Sequence, residues 1–423
     1  MEGDVDGTGS DAADTVTYDN MSDEDAVDDA MNEGNSSDED RNVQHHTFDR
    51  ALPVKHTYLG MNLEELRGRT FLDDDSYQTI PLLPEPGVVL VPGQTLPLTV
   101  FYPPTISMLR RTITTDHTFG VVCVRYATSH PPILADIGTT AEIYAFQDEE
   151  ETAGFKIKAI GRQRFKIVET QRQIDGNVSA KVRILPEIIL GDPLAGASFS
   201  SCDKYSKSAK KLKNLENREA VVTRWPSWVY SQFQTQKLMK KLIHLLRHMK
   251  IGNPNASFPT DPVELSFWVA QSVPLRDEQK LDLLRIDCAV QRLRWELSVL
   301  ERCRILCCQK CSSKIAYQRD IFSMSVEGPQ GTYVNSGGYL HETVTVYKAK
   351  GLRCVSDEPS TEYSWFPGYA WTITECRHCQ THMGWLFTST QPELRPAKFW
   401  GLCRRSLAPK LETGENAEFK PVM

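Results

Sequence analysis

Two cysteine pairs, Cys308-x-x-Cys311 and Cys376-x-x-Cys379, constrain what this chain can fold into more than any other feature. Two intervening residues let both thiolates of a pair turn toward one tetrahedral ion, at Zn–S distances of about 2.3 Å. The pairs stand 64 residues apart, so an ion held by both joins segments remote in sequence. Four thiolates fill the coordination sphere and leave no position for water or substrate. The reading is therefore one structural zinc per chain, whose binding energy is folding energy. Cys307 adjoins Cys308 and His378 lies inside the second pair, but the symmetric spacing favours the four residues named. Most of the 11 cysteines fall after residue 300, and no basic stretch followed by an apolar one opens the chain. Clustered cysteines in such a chain point to metal rather than disulfides, and to cytoplasm and nucleus as the compartments. No uncharged apolar run reaches the roughly 18 residues of a membrane-spanning helix.

The segments around the cysteines have the periodicity of strands. After Cys303, Thr343–Val344–Thr345–Val346–Tyr347, Trp371–Thr372–Ile373–Thr374 and Trp385–Leu386–Phe387–Thr388 alternate with period two. Residues 303–412 read as an all-β zinc domain followed by a flexible tail, 413–423. Upstream, short apolar runs (80–84, 88–93, 96–101, 119–124, 141–146, 155–160, 165–168) predict a mostly antiparallel β domain over 79–190. A polar, Ser/Lys-rich loop follows over 191–220, carrying Lys204, Lys207, Lys210, Lys211 and Lys213. Helices are expected from Ser227 to about Arg302. Asp261–Pro262 supplies an N-cap with proline at the first helical position. Leu283, Ile286, Val290, Leu293, Leu297 and Leu300 form one apolar stripe, predicting a single long helix that packs in the core.

Charge separates one further segment. The net charge of -7 is unevenly distributed. Residues 1–40 hold 15 acidic and no basic residues, leaving the remainder at 40 acids against 48 bases, about +8. A stretch so acidic and so poor in apolar clusters buries too little to offset its ordering entropy, so 1–50 reads as a disordered acidic tail. The fold class is thus α+β multidomain: a β-rich domain with an appended helical bundle, then the zinc domain.

Tryptophan placement gives the candidate site. In Trp365–Phe366–Pro367–Gly368–Tyr369–Ala370–Trp371 the central Pro–Gly is a type II turn signature, able to bring Trp365 and Trp371 back toward each other. Trp385 and Phe387, two apart on a strand, share a face. If that face meets the turn, three indoles and a phenyl enclose a box suited to a compact ligand with a polar amide edge. Ordinary packing of core aromatics is the alternative.

The motifs STEYSWFPGYAW (360–371), HETVTVYK (341–348), Gly384–Trp385 and FWGL (399–402) resemble the cereblon family, substrate receptors of cullin–RING ubiquitin ligases, over about residues 55–412. PGQTLPL (92–98) and AIGRQRF (159–165) are similar to the N-terminal domain of Lon proteases, although no phosphate-binding G-x-x-x-x-G-K-[ST] motif is present. The resemblance implies a Lon N-terminal-like domain over 79–302, with helices of 187–302, chiefly 187–252, docking the ligase's propeller adaptor first known for damaged-DNA binding. It implies that the zinc domain binds small cyclic imides, including thalidomide-like drugs and C-terminal cyclic-imide degrons, and presents degradation substrates. By resemblance Tyr363, Trp365, Trp371, Trp385, Phe387 and Asn335 line the ligand site, while Tyr339, His341, Glu362 and Ile373 face recruited substrate. The chain departs from the mammalian pattern at Tyr363 and Gly337, each in place of His, and at Ile373 in place of Val. The family implies no catalysis of its own. A zinc nucleic-acid binder using the basic 204–213 loop and stacking aromatics is a further reading, but the C-terminal domain lacks a dense basic face, so no nucleic-acid partner is expected. A competing reading is a methionine-sulfoxide-reductase-like zinc enzyme using Cys403, flanked by Arg404 and Arg405.

Overall fold

The computed structural model describes residues 46–410, apart from 69, 128–129, 150–153, 198–213, 215–216, 219, 222 and 250–257. The Lys204–Lys213 run, the 413–423 tail and most of the acidic segment lie outside the described residues. Residues 46–50, which the acidic-tail reading had included, are packed: Phe48 is 5% exposed. From here the chain runs as a strap over 46–60 before entering the first sheet.

That sheet contains β1 (Glu64–Glu65), β2 (Tyr77–Pro86), β3 (Thr95–Val100), β4 (Thr118–Ala127), β5 (His130–Leu134), β6 (Ile137–Glu149), β7 (Gly154–Arg172) and β8 (Val178–Ile184), with helix α1 (Pro103–Thr114) after β3. The order β6-β4-β2-β8-β7, with β7 pairing back onto β6, closes a barrel in which only β2 and β4 run parallel. The run 88–93, expected as a strand, is buried over 88–91 but forms no ladder. Instead its backbone lies directly on β7 at Gly161, where a Cβ would come within 2.4 Å of the Val91 carbonyl. Glycine there is what lets one backbone lie on another.

The helices are α2 (Ser227–Ser231), α3 (Thr235–His248), α4 (Pro262–Ser272), α5 (Asp277–Arg285) and α6 (Ala289–Arg302). Asp261 caps α4 as expected, its carboxylate accepting the Glu264 N–H at 2.9 Å. The apolar stripe from Leu283 to Leu300 spans two helices, not one, with the break at 286–288. There the backbone finds other partners. Arg164 donates to the Leu284 carbonyl at 2.7 Å, Arg292 to that of Ile286 at 2.7 Å, and the Ile188 N–H to that of Asp287 at 2.8 Å. With carbonyls satisfied from outside, the helical ladder can stop without leaving orphan groups.

The C-terminal region has a three-stranded sheet, β10-β9-β17, and a six-stranded antiparallel sheet, β11-β12-β16-β15-β14-β13. These strands are β9 (Ile305–Cys308), β10 (Lys314–Tyr317), β11 (Gln330–Val334), β12 (Leu340–Val346), β13 (Leu352–Cys354), β14 (Tyr369–Cys376), β15 (His382–Ser389), β16 (Lys398–Cys403) and β17 (Leu407–Lys410). Their core is continuous with the rest: Cys308, Cys376 and Leu402 belong to the same buried cluster as Val182 of the barrel and Leu293 of α6. At the junction of barrel, helices and β12 lies a buried ion cluster. Glu342 accepts from Lys280 of α5 at 2.6 Å and from Arg404 at 2.6 Å, and Gln94 reaches it at 3.3 Å. Arg404 also donates to the carbonyls of Leu275 (2.8 Å) and Gly87 (3.1 Å) and pairs with Asp277. Among the described residues no helix is long and apolar enough to cross a membrane.

Candidate functional site

The two cysteine pairs fold identically. Ser312 and Gln380 each take a left-handed conformation (φ 63° and 57°). Their N–H groups close back onto the Cys308 and Cys376 carbonyls, at 2.9 and 2.8 Å. The four sulfurs lie within 4.8 Å of one another, with Cys308–Cys379 and Cys311–Cys376 at 3.6 Å. A regular tetrahedron of Zn–S bonds near 2.3 Å has edges of about 3.8 Å, so the geometry and the all-thiolate donor set fit one structural zinc. Cys307 is buried on β9 and His378 is exposed, and neither joins the cluster. The metal site ties the end of β9 to the end of β14, and so the small sheet to the large one.

The aromatic site is built on one face of the large sheet. Antiparallel register sets Trp371 opposite Phe387 and Ile373 opposite Trp385 on β14 and β15, and Phe399 and Gly401 of β16 continue that face. A Cβ at Gly401 would meet the Phe387 ring at 2.8 Å, so a bare backbone at that position gives the phenyl its room. Over the face folds a loop whose ends are joined by two Ser360–Trp371 backbone bonds, of 2.8 and 3.0 Å. The expected turn is present: the Tyr369 N–H bonds the Phe366 carbonyl at 3.0 Å, with Gly368 at φ 87°. Inside the loop Trp365 is buried and donates its indole N–H to the Val334 carbonyl at 3.1 Å.

Trp365 and Trp385 meet edge to face at 4.7 Å, Trp365 and Phe387 at 6.5 Å, and Tyr333 stacks on Trp365 at 5.0 Å. Trp371 is half-buried and packs at the edge of this cluster. It joins no ring pair among the described residues, and its indole N–H donates to the Glu362 carbonyl at 2.7 Å. Two of the three indoles therefore form a packed corner with Phe387, while the third is an outer wall tied to the loop by that bond. Tyr363, at the loop's rim, is 59% exposed and left-handed at φ 49°. Two residues not anticipated from sequence complete the corner. His382 lies 4.9 Å from the Trp385 ring, on the same strand, and Tyr333 backs Trp365.

The remaining expected positions lie around this corner. His341 packs edge-on to Trp385 at 4.9 Å, and burial, with His382 adding, lowers its pKa to about 4. Burial likewise lowers that of His382, so both imidazoles are neutral at pH 7 and add no charge to the site. Asn335 uses its side-chain oxygen internally, accepting the N–H groups of Gly337 and Tyr339 at 3.0 and 2.9 Å, which shapes the loop that leaves Tyr339 exposed. Glu362 and Ile373 are also exposed.

Cys403, the candidate of the enzymatic reading, is buried. Its thiol is pushed up to about 12 by that burial, opposite to what a reactive thiolate requires. The nearest imidazole nitrogen is at 3.9 Å, and Arg404 is committed to Glu342.

Comparison with known proteins follows the same division of the chain. The family described as the ATP-dependent protease La (LON) substrate-binding domain matches residues 79–302, and the family described as Yippee zinc-binding/DNA-binding /Mis18, centromere assembly, matches 304–418. The chain is 44% identical over 385 residues to protein cereblon of Danio rerio, covering 87% of this chain and 89% of the fish protein. It is 44% identical over 391 residues to that of Gallus gallus (87% and 86% covered) and 42% identical to that of Xenopus tropicalis (88% and 87% covered).

Proposed function

Since this chain belongs to the cereblon family, we propose that it is the substrate-recognition subunit of a cullin–RING E3 ubiquitin ligase, working in cytoplasm and nucleus. It binds small cyclic imides and C-terminal cyclic-imide degrons between Trp365, Trp371, Trp385 and Phe387 and presents the attached protein for ubiquitination. It performs no chemistry itself.

The observation that carries this reading is the pairing of apolar walls with two unspent backbone groups. Trp365, Trp385 and Phe387 give ring faces and edges for a small alicyclic ring, and Trp371 stands at its edge as the outer wall. At the rim the Tyr363 carbonyl and the Trp365 N–H make no hydrogen bond among the described residues. An imide has an N–H flanked by carbonyls, so it offers a donor and acceptors along one edge. A free acceptor and a free donor two residues apart complement that edge, and the surrounding rings exclude water. The neutral state of His341 and His382 favours an uncharged ligand. Because the rim contacts are backbone groups, Tyr363 can stand in place of His without loss of the acceptor.

The adaptor reading draws on exposed apolar residues in the helical segment. Val221, Trp225 and Trp228 are exposed, as are Ile189 and its neighbours Ile188 and Leu190. Exposed tryptophans clustered along a short stretch suit a protein interface.

The test is a glutarimide titration of the purified protein, read by tryptophan fluorescence, with melting temperature and zinc content measured on the same samples. Micromolar affinity is about 8 kcal/mol. Removing one indole by Trp371→Ala should cost about 2–4 kcal/mol while leaving folding and zinc intact. A folded, zinc-replete Trp371→Ala protein that binds the imide at full strength would sink the cage.

A further inference from the structure

Against the loop that carries Trp365 lies a cavity of about 420 Å³, whose lining includes none of Trp365, Trp371, Trp385 or Phe387. The segment that carries Trp365 into the cage also puts Thr361, Tyr363 and Ser364 on this cavity's wall. Thr57 and Tyr58 of the strap and Thr390 complete its hydroxyl lining, around a floor of Pro367, Gly368 and Tyr369. No acidic or basic residue lines it. Four of the hydroxyls are already engaged, that of Tyr369 by donating to the Pro396 carbonyl at 2.8 Å. Ser364 donates to the Phe366 carbonyl (3.1 Å), Thr390 donates to that of Gly368 (2.9 Å), and the Tyr58 oxygen lies 3.3 Å from the Val334 nitrogen, as acceptor. Those of Thr57, Thr361 and Tyr363 make no hydrogen bond among the described residues.

We propose that this cavity holds the peptide backbone preceding a C-terminal cyclic imide, so that the receptor reads the imide in the cage and the two residues before it by backbone alone. The inference rests on the imide reading of the cage. A hydroxyl both donates and accepts, which suits the alternating N–H and C=O groups of a peptide whatever its side chains. A charged ligand would find no counter-charge in a neutral wall and would be left unpaired. A sphere of this volume is roughly 9 Å across, room for about two extended residues at 3.3–3.6 Å each. Tyr363 belongs to both sites, lying at the cage rim and on the cavity wall, and its left-handed backbone turns the chain between them. A receptor built this way prefers an imide at a protein terminus to the same imide free in solution, while remaining indifferent to sequence.

The experiment compares two probes on the full chain: acetyl-aminoglutarimide, and the same imide preceded by glycyl-glycine, which adds backbone groups and no side chains. One or two neutral hydrogen bonds predict a roughly tenfold tighter Kd for the extended probe. In a Thr57→Val, Thr361→Val protein, which keeps shape and loses two hydroxyls, that gain should fall below about threefold, with the short probe bound as in wild type. Equal affinities of the two probes in wild type, or a full gain retained by the double variant, would overturn the cavity assignment while leaving the cage standing. Failure of the short probe to bind wild type at all would instead overturn the cage reading and this inference with it.

Discussion

Replacing Lys280 with Met tests how the barrel, helices and zinc-bearing sheets are held together. The ammonium is fully buried, 2.6 Å from Glu342, and Met fills nearly the same space without charge. Burial alone would raise the Glu342 carboxyl, yet Arg404 and Lys280 together bring it down to about 2, so it is ionised at neutral pH. Removing one partner of a buried pair costs about 3–5 kcal/mol, because the other charge stays buried. Glu342 retains Arg404 and Gln94, which puts the expected loss at the low end, about 3 kcal/mol. Adding Glu342→Gln removes the stranded charge, so the double variant should be less destabilised than the sum of the two singles, by about 1–3 kcal/mol. Urea unfolding followed by tryptophan fluorescence, which reports the helices and the zinc-bearing sheets, and by far-ultraviolet circular dichroism measures both. The two signals should shift together, since the cluster touches every region. A Lys280→Met protein within about 0.5 kcal/mol of wild type, or strict additivity in the double variant, would refute the argument that these charges are desolvated and coupled.

Other expectations follow from the same geometry. Elemental analysis should find one zinc per chain, lost in Cys376→Ser. Because Cys308 and Cys376 lie in the core shared with the barrel, that loss should lower the melting temperature of the whole chain, and a barrel signal that does not move would contradict the shared core. Burial lowers the pKa of His46 to about 4, of His56 to about 3 and of His341 to about 4. Each folded value lies below the ordinary one near 6.5, so the unfolded chain binds more protons below pH 6.5 and stability should fall as pH drops from 6.5 toward 4. A melting temperature flat between pH 7 and 5 would be inconsistent with this. Gly401→Ala brings a methyl into the Phe387 ring and should cost about 1–3 kcal/mol of stability and weaken imide binding. Unchanged affinity would mean that the ring is not a wall of the site.

What the sequence made legible was what depends on near neighbours in the chain. The x-x spacing of each cysteine pair, the Pro367–Gly368 turn and the Asp261 cap are decided within four residues, and all are present as read. The contact of Trp365 with Trp385 depends on the register of β14 against β15 and on Gly401, a strand away, so periodicity could suggest it but not supply the missing members, His382 and Tyr333. The break at Ile286 was out of reach altogether. An apolar stripe reports which face is buried, and here the two helices keep the same face while Arg164, 120 residues earlier, satisfies the carbonyl that ends the first. The strap was hidden by its acidic neighbour, although Phe48, His56 and Tyr58 within a few residues were a local sign of burial.

The strap has a consequence in time. His46 pairs with Tyr347 across 301 residues and Thr47 with Glu393 across 346, so the first described residues wait on the ribosome for nearly the last. At about 5–20 residues per second the wait is about 15–60 s. Throughout it Phe48 and Tyr58 are apolar groups without their partners, exposed on a chain whose barrel can already have closed. Closing a loop of such length is entropically slow to be rewarded, so the strap should dock late, over sheets already formed. Newly made protein would then pass through a stage that has zinc and tryptophans in place but lacks the Thr57–Tyr58 wall, and a receptor at that stage would bind the bare imide before it can tell a protein terminus from a free one.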